Sequence, residues 1–274
     1  ILKRSYQVTG LDIVDGPLTD HVIDISSPSL KKVLTKFEKC GVSIVHLAAL
    51  RTDFNQSINE YSSLNVGCTE KFLETIGTWK IDQFIHISSV ASFDGQKLKP
   101  EQLESSDDFY RYTKYQQERV IKNFFKDKGT HLSILFPSAI FDDQGRLDTN
   151  IGKLQIISRV LVFFPNINVE KTLTYLPHFS DFILRILDRR IVSGEYLTVE
   201  SPILTVNQIY SYLRSGRRTI LLNIQPFITA IVYPVSLLSS VFNVDFLLTE
   251  NRLKKIYSRT VYDEGTDFET YTNQ

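Results

Sequence analysis

The sequence holds no methionine, one tryptophan and two cysteines in 274 residues. Cys40 and Cys68 provide neither a disulfide framework nor a metal-ligand spacing, which points to a reducing compartment and, for localisation, to the cytoplasm. Cys68 is expected to pack in a helix core. An excess of charge is also missing, since 31 basic residues balance 31 acidic ones. That excludes a surface specialised for nucleic acid, because phosphate binding draws on clustered Lys and Arg. Ile1-Leu2-Lys3-Arg4 lacks the apolar core of a signal peptide. The most apolar stretch, Phe227 to Phe242, is interrupted by Pro234 and falls short of the ~20 apolar residues that a spanning helix needs. It reads as a buried or partner-facing helix, so membrane contact is not expected. No internal repeat or low-complexity segment divides the chain.

Alternating strands and helices fill the first half. Tyr6 to Ile13 and Val22 to Ile25 read as strands, and Ser29 to Lys39 as a helix. Val42 to Ala49 is an apolar strand running into a turn of small side chains. Leu64, Cys68, Phe72 and Ile76 repeat at helical spacing. Gln83 to Ser89 and His131 to Ser138 read as buried strands, the second stopped by Pro137. Between them lies a helix from Tyr110 to Lys126. This rhythm predicts an α/β fold with a doubly wound, Rossmann-like parallel sheet. After Pro137 the rhythm loosens, with a strand at Glu195 to Val199 and helices at Val206 to Leu213 and near Glu250 to Ile256. The domains expected are residues 1–140 for a dinucleotide and 141–274 as a smaller substrate-binding lobe.

Tyr110 and Lys114, four residues apart on a helix, share one face and can act on one substrate atom. A phenol titrates near pH 10, so its use as a base at neutral pH requires a shift of roughly 3 units, about 4 kcal/mol. A neighbouring ammonium supplies much of that. On its own the pair also fits a solvated helix face. Ligands of open parallel sheets sit beyond the carboxyl ends of strands, where Ser88 or Ser89 can reach the same place.

Four segments together resemble the extended short-chain dehydrogenase/reductase family of NAD-dependent epimerases and dehydratases. They are His46-Leu47-Ala48-Ala49, Asn65-Val66-Gly67-Cys68-Thr69, Ile87-Ser88-Ser89 with Tyr110 and Lys114, and Phe136-Pro137-Ser138. His178-Phe179-Ser180-Asp181 and Gly194-Glu195-Tyr196 are weaker likenesses. The resemblance implies Ser89, Tyr110 and Lys114 as catalytic residues, with Ser88 and Ser92 in reserve for the serine. It implies a cofactor site formed by Asp12, Asp24, Ile25, Leu47, Ala48, Ala49, Lys114 and Pro137; Asn65 suits either a role in ordering the site or an exposed helix position. Asp15 competes with Asp12, and Asp24 equally suits a helix cap. NAD is the cofactor implied, with NADP open, and no metal is required.

The departure from the family is at the front, where its glycine-rich strand-turn-helix unit is absent from the sequence. About 25 to 30 residues are expected to be missing, judged from the length of such a unit, and the chain as it stands is expected to bind NAD weakly. The function expected from the resemblance is that of an epimerase, dehydratase or ketoreductase acting on a nucleotide sugar, with a homodimer compatible. The alternatives are a dehydrogenase of a sterol-like lipid alcohol, favoured by the Phe227 to Phe242 stretch, and a catalytically silent cofactor-binding relative. Arg217 and Arg218 suit a diphosphate or plain solvation.

Overall fold

The structure is a computed structural model that describes residues 6–38, 40–51, 56–103, 105–142, 154–155, 158–200, 202–214, 217–223, 256–262 and 269–270. Two compact units share the chain: residues 1–137 with 179–197, and residues 138–178 with 198–274. The first crossing falls beside the boundary expected at 140, but residues 179–197 return to the first unit. Two apolar surfaces account for the return. The Leu176–Leu187 helix buries Phe179, Phe182, Ile183 and Ile186, and the Glu195–Thr198 strand lies next to His131–Pro137 in the sheet.

In the first unit Glu195–Thr198, His131–Pro137, Ile81–Ile87 and Val42–His46 lie side by side in that order. The last three are parallel, with Ile44 opposite Phe84 and Phe84 opposite Leu132. Ile81–Ile87 is buried at every position but Asp82, as a strand covered on both faces must be, and its buried polar residues Gln83 and His86 both find partners across the fold. The architecture is α/β and Rossmann-like. The fully buried Leu30, Ile76, Phe84 and Ile121 join Phe72, Leu73 and Phe125 in one core cluster.

The front of the chain is less regular than its sequence suggests. Instead of a strand over Tyr6 to Ile13, only Leu11–Asp12 is paired, parallel with His21–Val22. Gly10 accounts for the difference. Its N–H donates to Asp20 Oδ2, its carbonyl accepts from the Asp20 and His21 N–H groups, and a Cβ there would stand 2.1 Å from the Leu18 carbonyl oxygen. The helix expected from Ser29 is short, Leu30–Leu34 followed by a 3₁₀ turn at Thr35–Phe37.

In the second unit, helix Val206–Leu213 has the limits that its periodicity predicts, and Thr205 and Gln208 form a capping box at its start. Phe164 stacks on Tyr210 with ring centroids 3.8 Å apart, at the centre of a core with Ile167 and Val206. Ile220–Leu222 pairs parallel with Phe163–Pro165. Phe227 to Phe242, and all but Ile256 of the helix expected near Glu250, lie outside the described residues.

Candidate active site

The helix that carries Tyr110 and Lys114 runs from Ser106 to Phe125, with Ser105 accepting a cap hydrogen bond from the Asp108 N–H. Its buried face changes character along its length. Thr113, Lys114, Gln117 and Glu118 are buried in the first half, Ile121 and Phe125 in the second. The second half packs on the apolar core. The first meets the carboxyl ends of the strands, where backbone carbonyls need donors, so polar side chains are kept inside.

Lys114, only 1% exposed, donates from Nζ to the Ile87 carbonyl at 3.0 Å and to Gln117 Oε1 at 2.7 Å. Burial pushes its pKa down to about 8, against the opposing pull of the Glu118 carboxylate. Gln117 Nε2 in turn donates to the Ala48 carbonyl at 3.1 Å and to Thr69 Oγ1 at 2.8 Å. One amide thus joins the lysine to the turn after Val42–His46. Asn65, also fully buried, makes a second connection. It receives the Leu50 N–H on Oδ1 at 2.5 Å and donates from Nδ2 to Leu50 O at 3.3 Å and to Thr113 Oγ1 at 3.0 Å. Asn65 sits in a π turn, Ser62–Gly67, a widened turn that often marks functional positions.

The three serines separate clearly. Ser88 donates to Glu118 Oε1, and Ser92, 1% exposed, also hydrogen-bonds this carboxyl group. Burial raises the Glu118 pKa despite those two contacts. Ser88 and Ser92 therefore serve an internal network. Ser89 is half-buried beyond the strand end, with Oγ accepting from the Ala91 N–H at 3.2 Å. Gly95 explains how its turn approaches the Tyr110 helix, since a Cβ on Gly95 would stand 2.0 Å from the Arg111 carbonyl oxygen. Tyr110 is half-buried one turn ahead of Lys114.

Of the residues expected to hold the cofactor, Asp12, Leu47, Ala48, Ala49 and Pro137 lie at or just beyond strand ends, whereas Lys114 is on the helix already described. Leu47, Ala48 and Ala49 are exposed directly after Val42–His46. Asp12, exposed at the end of its strand, accepts the Val14 N–H on Oδ1 at 3.1 Å. Asp24 is occupied by its own turn, taking Ser26 N at 2.7 Å and Ser26 Oγ at 2.8 Å on Oδ1. Ile25 packs against the apolar core. Pro137 is buried, and its carbonyl accepts the Val90 N–H at 3.1 Å. Asp15 is exposed. In the second unit His178 pairs with Glu200 at 3.1 Å.

Gln117 and Glu118 escaped the sequence reading, although they stand three and four residues after Lys114, the spacing of one helix face. Beneath the Leu47 turn lies a further unanticipated pair, His46 and His86, buried on neighbouring strands with Nδ1 atoms 3.1 Å apart. His46 stacks between Phe72 and Phe84, 5.8 Å from each. Burial, reinforced by Lys114, lowers the His46 pKa to about 3 and that of His86 well below its usual value. Both rings are neutral, and neither Nε2 has a hydrogen-bond partner.

The male sterility protein family model, an NAD-binding type, matches residues 5–177. The chain belongs to that family. With it the chain joins the extended short-chain dehydrogenases/reductases of the epimerase/dehydratase type. An undecaprenol-linked N-acetylglucosaminyl-diphosphate 4-epimerase of Escherichia coli O157:H7 is 24% identical over 229 residues, 81% of this chain and 69% of that protein. UDP-glucuronic acid 4-epimerase of Bacillus cereus, solved with UDP-glucuronic acid and NAD, superposes with a TM-score of 0.62 at 20% identity, over 80% of this chain and 78% of that one. UDP-N-acetylglucosamine 4-epimerase of the same organism gives 0.62 at 16% identity, over 78% and 75%. These two solved structures share the fold of this family member.

Proposed function

We propose that the chain is an NAD-dependent oxidoreductase of the epimerase type acting on a sugar carried on a nucleoside diphosphate, with Ser89, Tyr110 and Lys114 as its catalytic residues. The observation that carries this reading is the buried link from Lys114 through Gln117 to the Ala48 carbonyl, which fixes the Tyr/Lys helix against a strand-end turn. The residues fit NAD. Leu47, Ile13 and Val14 are 65%, 67% and 65% exposed, all just beyond strand ends, as apolar walls for flat rings would be. Asp12 offers a carboxylate to adenine-ribose hydroxyls, and Ala48 and Ala49 allow close approach to the backbone. The two Bacillus cereus epimerases named above are UDP-sugar epimerases, which supports that substrate class, and the Escherichia coli relative is named for a sugar on a lipid-linked diphosphate.

When bound, NAD supplies reversible acceptance of a hydride from a sugar carbon. Tyr110 takes the proton of the sugar hydroxyl as that carbon is oxidised and returns it on reduction. Ser89 Oγ hydrogen-bonds the same oxygen. Lys114, as an ammonium, favours the phenolate by its charge and offers a donor to ribose. Asn65 and Gln117 hold the helix in register with the strand ends.

Tyr110→Phe should lower turnover by about 10³-fold, within the span of general acid–base contributions, while NAD affinity by calorimetry stays within about twofold, a change of at most roughly 0.4 kcal/mol. Undiminished turnover would overturn the assignment. Substrate class is tested by thermal shift with NAD present, comparing UDP- and dTDP-sugars with sterols. A ligand at 100 times its dissociation constant adds about 2.7 kcal/mol. Stabilisation by sterols and by no sugar nucleotide would transfer the same chemistry to a lipid alcohol.

A further inference from the structure

We infer that the second unit carries a peripheral docking site for an anionic lipid bilayer, made by the apolar run Val160–Phe163 and by Arg159, Arg217 and Arg218. The run is exposed along its whole length, at 75%, 50%, 40% and 57% in chain order. Consecutive exposed apolar residues are kept out of soluble surfaces unless they meet something.

The backbone of this run is fixed. Val162 O accepts the Ile220 N–H at 2.9 Å, and Leu161 O accepts the Tyr210 hydroxyl at 2.7 Å. Arg214, buried, donates from Nη1 to Ser158 O at 2.6 Å and to Leu161 O. The next residue, Phe164, is buried against Tyr210. The core thus holds the segment from one side and leaves the four apolar side chains in water.

The same contacts bring cations to the edge of the strip. Arg159 immediately precedes it. Arg217, whose N–H donates to Arg214 O at 3.2 Å, and Arg218 follow the anchoring arginine, and all three are exposed. No acidic residue occurs from Thr149 to Val169 or between Glu200 and Asp245, so both segments that build the patch are free of negative charge. A second copy of this chain would set arginine against arginine. An anionic bilayer complements both features, because phosphates attract the guanidinium groups while the apolar side chains enter the headgroup boundary. Among the described residues no helix is long and apolar enough to cross a membrane; the contact proposed is one of surface. This patch does not depend on NAD chemistry.

The test is flotation of the whole chain with phosphatidylcholine vesicles with or without phosphatidylglycerol, at low and high salt. Binding is expected only with phosphatidylglycerol and should weaken as salt rises. Each arginine is worth about fivefold in partitioning, so the Arg217→Glu, Arg218→Glu double variant should bind at least about 25-fold more weakly at low salt. Val160→Ser with Phe163→Ser should also weaken binding. Far-ultraviolet circular dichroism and thermal unfolding serve as controls of folding. If the serine variant misfolds, the arginine variant, altered only at exposed positions, decides. Failure to float with phosphatidylglycerol vesicles, binding indifferent to both pairs of substitutions, or concentration-dependent dimerisation abolished by Phe163→Ser would each overturn the proposal.

Discussion

Lys114 shows how much one buried charge depends on a single amide. Its ammonium is held by Ile87 O and Gln117 Oε1, and burial brings its pKa to about 8. Hydrogen bonds to charged groups contribute about 1.5–3 kcal/mol, equivalent to one to two pKa units. Gln117→Leu should therefore move the alkaline limb of the kcat/KM profile toward acid by about one to two pH units, and should lower its plateau as well, because the link to the Ala48 carbonyl is lost with the amide. Gln117→Glu should move it the other way. An unshifted profile in both would show that the amide serves only packing. The Tyr/Lys pair was legible because four-residue spacing defines a helix face whatever surrounds it. Gln117 and Asn65 were not recognised as buried, because a polar side chain gives no sequence signal of burial until the carbonyls it satisfies, Ala48 and Leu50, are placed by the fold.

Among the elements, the central strands and the Ser106–Phe125 helix were legible from apolar runs and periodicity. Leu64 was not. Expected on the core face with Phe72 and Ile76, it is 41% exposed, because the π turn Ser62–Gly67 rotates the helix face and buries Asn65 instead. Cys68 is accordingly only half-buried. Gly95 sets the spacing of two other elements. The atoms that a Cβ would meet belong to the Arg111 and Tyr112 backbone, so no side chain can turn aside. Gly95→Ala should cost about 3 kcal/mol by forced overpacking, read from the urea midpoint. Part of the cost should appear as lost turnover, since the Ser89 turn would be displaced from the Tyr110 helix.

For the whole molecule, the neutral His46 and His86 set a limit on acid tolerance. An unfolded histidine titrates near 6.5, whereas the folded His46 has a pKa of about 3. Between these values the unfolded chain binds more protons, so stability falls as pH falls, by up to about 1.4 kcal/mol per pH unit for each histidine. For His46 alone the loss by pH 3 is on the order of 5 kcal/mol. Urea midpoints should be clearly lower at pH 4.5 than at pH 7, and His46→Phe should roughly halve the difference. An equal difference in that variant would assign acid sensitivity to other groups.

The double crossing between units governs how the protein can be dissected. A fragment ending at Pro137 would lose Glu195–Thr198, the neighbour of His131–Pro137, together with the Ile186 carbonyl that receives Gln83 Nε2 at 3.0 Å. Its newly bared strand edge would template aggregation. Neither unit is a contiguous stretch of the gene, so domain exchange with a relative must transplant residues 179–197 along with residues 1–137. An evolutionary shuffling event faces the same constraint, because the second unit cannot be replaced by one exchange at its apparent start.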